Sequence, residues 1–171
     1  PPDESVGGLA HRQLARSAVT QSLVLLSLLE PVLPLQRKGS VLVGCSGAHD
    51  LGLQMGGWSL SWQGRSGNGM TTGTTIFEGI REASDCESDE CVRFSPSGKA
   101  VAHDPAEVAI AVVSERAYAE GAGDSPVAPV PISRLDEACI EAMHASERSR
   151  PIVLLTLSGR PLSIDEYAFG R

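Results

Sequence analysis

The chain predicts an α/β fold, a mainly parallel sheet covered by helices on both faces. Three observations carry that reading. Continuous apolar runs at residues 40–44, 108–113 and 151–157 have the length and composition of strands buried on both faces. Segments with helical spacing of apolar residues separate these runs. Strands alternating with helices lie parallel in one sheet, because each connection must cross back over it. At 171 residues the chain can enclose one domain with a true core.

In chain order, residues 11–29 read as a helix. Leu14, Ala18 and Leu25 give it an apolar stripe, Arg12, Gln13, Arg16 and Gln21 a polar side, and Pro31 and Pro34 a stop. The strand at 40–44 closes on Gly44. Residues 76–83 form a helix, with Thr74 or Thr75 as its N-cap. Residues 91–94 alternate as a strand and end at Ser95-Pro96-Ser97-Gly98. A second buried strand at 108–113, a helix at 134–145 and a third buried strand at 151–157 complete the order. The Ala-, Gly- and Pro-rich stretch 121–131 reads as a long surface loop.

A net charge of −7 disfavours nucleic acid and anionic membrane surfaces as partners. The most apolar run, 23–35, is too short to cross a bilayer and contains Glu30, Pro31 and Pro34. Residues 1–8 do not resemble a secretion signal, and an opening of Pro-Pro-Asp-Glu suggests that upstream residues are missing. Neither observation fixes a compartment. Cys86 and Cys91 flank an acidic turn, either as a disulfide or as free thiols. Cys45 and Cys139 complete the set, and the scattered histidines offer no zinc spacing, so neither metal nor cofactor is expected.

The only two tryptophans stand in Gly56-Gly57-Trp58-Ser59-Leu60-Ser61-Trp62-Gln63-Gly64. An extended backbone would place Trp58, Leu60 and Trp62 on one face, and the flanking glycines argue for a loop or short edge segment. Exposed, the two indoles would grip a flat, partly apolar ligand such as a sugar ring; buried, they would anchor the core. Ligands of open parallel sheets gather beyond the carboxyl ends of the strands. The Trp segment follows the first buried strand, and Glu120 follows the second, on a glycine-bearing loop among small residues. A solvated loop glutamate is the plainer account of Glu120. His49 and Asp50 read as loop-fixing residues.

Taken in order, several pieces resemble the second domain of glycoside hydrolase family 3, of the β-glucosidase and β-glucan exohydrolase type. They are Ser22-Leu23-Val24-Leu25-Leu26, Leu33-Pro34-Leu35, Ala48-His49-Asp50-Leu51-Gly52, the Trp segment and Gly73-Thr74-Thr75-Ile76. Ala117-Tyr118-Ala119-Glu120-Gly121-Ala122-Gly123-Asp124 and Leu157-Ser158-Gly159-Arg160-Pro161-Leu162 close the series. The likeness spans residues 10–162, between a tail at 1–9 and a divergent tail at 163–171.

The resemblance implies a retaining hydrolase built from a barrel and an α/β sandwich. The barrel brings the aspartate nucleophile. The sandwich brings the general acid/base, aligned with Glu120, and part of the sugar-binding wall, aligned with Trp58 and Trp62. The acid role calls for a raised pKa, which burial under a bound sugar and a nearby carboxylate would provide. Asp124 is expected to orient the Glu120 loop, and Arg160 to pin a turn or domain junction.

The departures also matter. The barrel is missing from this sequence, so no turnover is expected of the chain alone. Ser27-Leu28 replaces the family's Lys-Asn, Ser114 replaces a glycine, and the family's further sheet elements do not follow Leu162. The sandwich is therefore expected to be incomplete at its C-terminal side, with an open edge. Expected partners are the barrel domain or other protein subunits, with a β-glucoside or β-glucan as ligand. The alternative role is a relic domain serving as a structural or binding subunit of a larger assembly.

Overall fold

The computed structural model describes residues 5–28, 31–88, 90–101 and 105–164. The end of the expected first helix at Leu29 and the tail beyond Ile164 lie outside them. The chain divides into two compact units, residues 1–31 and 32–171.

In the first unit, helix α1 covers Leu9–Ser22 and has no buried residue. It stops well short of the expected end. From Leu23 the backbone is extended, and residues 23–28 form no helix. A short apolar run such as Leu23, Val24, Leu25 and Leu26 fits helix or extended chain equally, so its composition does not set the end of α1. All four side chains are exposed.

The second unit holds the sheet. Strands β1 (Val41–Gly44), β2 (Val92–Ser95), β3 (Val108–Ser114) and β5 (Ile152–Leu157) pair in the order β2-β1-β3-β5, every pair parallel. Helices α3 (Ile76–Ala83) and α4 (Arg134–Ser146) cover opposite faces. Alternation along the strands makes the two layers. Val41, Val43, Ile110 and Val112 pack with Ile76, Phe77 and Ile80 of α3. Leu42, Ala109, Ala111 and Val113 pack with Cys139, Ile140 and Met143 of α4. The mainly parallel, two-faced architecture is the one the apolar runs predict.

Thr75 is the N-cap of α3 and forms a full capping box with Glu78. The short α2 (Leu51–Met55), β4 (Val130–Pro131) and β6 (Leu162–Ser163) carry no periodicity that length alone would reveal. The third strand departs from expectation. Among the described residues β5 is an edge strand, and its residues are half-buried, with Thr156 exposed, against the full burial expected. An edge strand has a neighbour on one side only, so its apolar composition exceeds its burial.

Cys45 and Cys139 form a buried disulfide that joins the end of β1 to α4, and Cys86 is bonded to Cys91. Asp136, also buried, accepts from the Ser46 backbone N–H and from the Ser46 and Ser133 hydroxyls, each at 2.9 Å. Together these contacts fix the turn after β1 to the start of α4.

Candidate functional site

The strand order reverses between β1 and β3: the chain runs from β1 outward to β2, then returns to place β3 on the other side of β1. Such a switch point opens a crevice beyond the carboxyl ends of the two strands. The Trp segment and the Glu120 loop follow these two strands.

Asp50 builds the first of these loops. Its carboxylate caps α2 by accepting from the Leu53 N–H at 2.9 Å, and it also accepts from the Gly67 N–H at 2.8 Å and from the Ser66 hydroxyl. Burial opposes its charge, but the Ser66 hydroxyl and the backbone N–H groups outweigh that and hold its pKa below the ordinary value. His49 lies 2.8 Å from the Thr75 hydroxyl and edge-on to Phe77 and Phe94. Both residues fix the loop, the work the sequence assigns them.

The Trp segment is a tight turn, a loop as the flanking glycines argue, and not the extended backbone that would line up the two indoles by alternation. The Trp58 N–H donates to the Trp62 carbonyl at 3.0 Å, so the two residues meet across the base of the turn. Trp58 and Leu60 take positive φ of 55° and 61°, and Ser59 bridges to Ser61. The glycine-hinged chain favours this closure over alternation, and the serines brace it: Ser59 donates to the Met55 carbonyl and Ser61 to that of Gly64, both at 3.1 Å. Trp58 is 70% exposed and Trp62 53% exposed. The core-anchor account of the indoles therefore fails.

Glu120 is exposed and opens a 3₁₀ turn, Glu120–Gly123. It too has a positive φ, of 53°. Non-glycine residues hold this conformation only where their surroundings enforce it. Two contacts do so, one on each side. Before Glu120, the Gln63 amide accepts from the Ala119 N–H at 3.0 Å and donates to the Ala119 carbonyl at 3.2 Å. After it, Arg160 donates to the Gly123 carbonyl.

Arg160 also pairs with Glu115 at 2.6 Å and stacks over the Tyr118 ring at 4.6 Å. Glu115, at the strand end, accepts further from Tyr118 at 3.3 Å and from the Ser158 hydroxyl. Burial raises its pKa, but hydrogen bonds from Arg160 and Ser158 and the Arg160 charge overcome this and hold it low. The Arg160 guanidinium is raised in turn, chiefly by its bond to Glu115. Asp124 closes the turn through its backbone N–H to the Gly121 carbonyl at 3.1 Å.

The two loops touch directly. A Cβ on Gly57 would lie 1.8 Å from the Tyr118 carbonyl oxygen, so only glycine permits the backbone approach. Trp58 and Trp62 sit on one of two interlocked loops at one end of the sheet and Glu120 and Asp124 on the other, while Arg160 reaches the second from the connection after β5. Gln63, Glu115 and Tyr118 complete the interlock and were not singled out in the sequence. Glu115 had a signal in its place directly after an apolar run. Gln63 had only its adjacency to Trp62. Among the described residues no group of three or more His, Cys, Asp or Glu side chains is placed to hold a metal ion, and no helix is long and apolar enough to cross a membrane.

Parallel order, helices on both faces and loops gathered at the switch point define the class, an α/β sandwich. The chain is similar to the crystal structure of an exo-1,3/1,4-beta-glucanase from a Pseudoalteromonas species. The TM-score is 0.76 and the identity 32%, over 92% of this chain and 20% of that one. A point mutant of that enzyme matches at TM-score 0.76 and 33% identity, over 92% of this chain and 25% of that one. The resemblance to glycoside hydrolase family 3 is thereby borne out, and this chain is similar to one part of the glucanase. It spans about a fifth to a quarter of the length of the glucanase chains it matches. No protein-family model and no curated protein matches the sequence.

Proposed function

We propose that residues 10–162 are the proton-donating half of a retaining β-glucoside hydrolase cleft, completed by a barrel domain that carries the nucleophile. The observation that carries this reading is the Gln63–Ala119 clamp, which fastens the exposed Trp turn to the residue before Glu120. In the first step, a barrel carboxylate attacks the anomeric carbon. The glycosidic C–O bond breaks, and Glu120 gives its proton to the leaving oxygen. In the second, Glu120 takes a proton from water as that water attacks the anomeric carbon and releases the barrel carboxylate. Trp58 and Trp62 present flat apolar faces for the sugar, and the indole N–H groups can donate to its hydroxyls. Arg160 and Asp124 support the Glu120 turn.

The test is activity on aryl β-glucosides with the chain joined to a barrel domain. Glu120→Gln should lower turnover by roughly 10²–10⁴-fold, the range for loss of a general acid/base. A Gln variant as active as the parent would remove Glu120 from the mechanism, and the chain alone should show no turnover.

A second reading, a structural subunit of a larger assembly, is favoured by one observation. Leu23, Val24, Leu25 and Leu26 expose contiguous apolar surface. Native purification separates the two: a stable complex with unrelated proteins and no glucosidase activity supports the subunit, and a barrel-containing polypeptide supports the enzyme.

A further inference from the structure

We propose that Gln63 is a positioning residue for Glu120, transmitting the placement of the Trp turn to the proton donor through the Ala119 backbone. This rests on the reading of Glu120 as the acid/base. A primary amide carries a donor and an acceptor on one planar group. Gln63 uses both on a single residue, accepting from the Ala119 N–H at 3.0 Å and donating to its carbonyl at 3.2 Å. Ala119 is buried, so these bonds satisfy backbone groups that have little access to water. The next residue, Glu120, holds a positive φ, and its turn is closed on the far side by the Arg160 bond to Gly123. Arg160 reaches in from the loop after β5. Gln63 reaches in from the segment that bears the indoles. A shift of the Trp turn therefore moves Ala119 and re-aims Glu120, while the Arg160 end stays fixed. Only glutamine serves: glutamate cannot donate to the carbonyl, and leucine fills the space without either bond.

Two measurements test this. In this chain alone, amide hydrogen exchange of Gln63→Leu should be at least roughly tenfold faster at Ala119, with β1 and β3 unchanged, as expected for local opening. Unchanged exchange at Ala119 would overturn the proposal. In the chain joined to a barrel, kcat/KM is compared for phenyl and dinitrophenyl β-glucosides. The dinitrophenolate departs without a proton, so a misplaced acid slows only the phenyl substrate. Gln63→Leu should lower kcat/KM about 10–100-fold for phenyl and less than about twofold for dinitrophenyl, as a misaimed proton donor would. Equal slowing of both substrates would mean that Gln63 merely supports the fold, and would overturn the proposal. Glu120→Gln, run alongside, checks the underlying reading. If it shows no dependence on the leaving group, the acid assignment itself fails and takes this proposal with it. If it shows that dependence and Gln63→Leu does not, the Gln63 proposal alone fails.

Discussion

Gly57→Ala should separate the two loops that make up the site. The new Cβ would stand 1.8 Å from the Tyr118 oxygen, 2.5 Å from its carbonyl carbon and 3.2 Å from the Ala119 nitrogen. Ordinary contact begins at 3.4 Å, so the backbones must part by 3.4 − 1.8 = 1.6 Å. Both colliding groups are backbone and cannot swing aside. Ala119 is buried and Tyr118 is held by Glu115 and Arg160, so the Trp turn must move and strain the Gln63 bonds to Ala119. Overpacking of this kind costs about 1–3 kcal/mol. For a domain of this size that is a fall in melting temperature of roughly 2–12 °C. Gly69→Ala is the control, since nothing lies within 4 Å of a Cβ placed there. Calorimetry of the two variants decides the matter. If Gly57→Ala melts with the parent chain, or no lower than Gly69→Ala, the interlocked loops are refuted.

Other consequences follow from the same contacts. Trp58→Ala and Trp62→Ala should each change stability by no more than about 0.5 kcal/mol, as exposed side chains do, while weakening sugar binding followed by fluorescence of the remaining indole. Breaking Cys45–Cys139, which closes a separation of 94 residues, should cost about 4–5 kcal/mol on chain-entropy grounds. Breaking Cys86–Cys91, at a separation of 5, should cost about 2 kcal/mol, and denaturant unfolding of the paired Cys→Ala variants tests the order. Glu115 is held below its ordinary pKa, so its contribution is present above that value and lost as pH falls through the folded one. Melting temperature should therefore drop between about pH 5 and pH 3, and less steeply in Glu115→Gln.

The sheet was legible because β1 and β3 are apolar on both faces, a pattern that few other settings tolerate. A threonine cap was legible, at Thr74 or Thr75, because the helix behind it needs an acceptor there, and the structure uses Thr75. The end of α1 and the half-burial of β5 were not, since a run of leucines fits helix, strand or exposed segment equally and only its neighbours decide. The site divides along the same line. Positions of the indoles and of Glu120 beyond two strand ends follow from chain order. Their interlock does not, because Gln63 and Ala119 are 56 residues apart and meet only through the strand order. The Cys45–Cys139 bond was hidden for the same reason: its partners come together only when α4 lies across the sheet. The alternation of Trp58, Leu60 and Trp62 misled, since positive φ at two of these residues turns the chain back on itself.

The account depends on the Trp turn and the Glu120 turn forming one sugar-facing surface. Titration of this chain with laminaribiose, followed by NMR, tests that directly. The Trp58 and Trp62 indole N–H signals and the amides of residues 119–123 should shift together along a single binding curve. Indole signals that move while residues 119–123 stay still, or a spectrum unchanged at millimolar sugar, would contradict it.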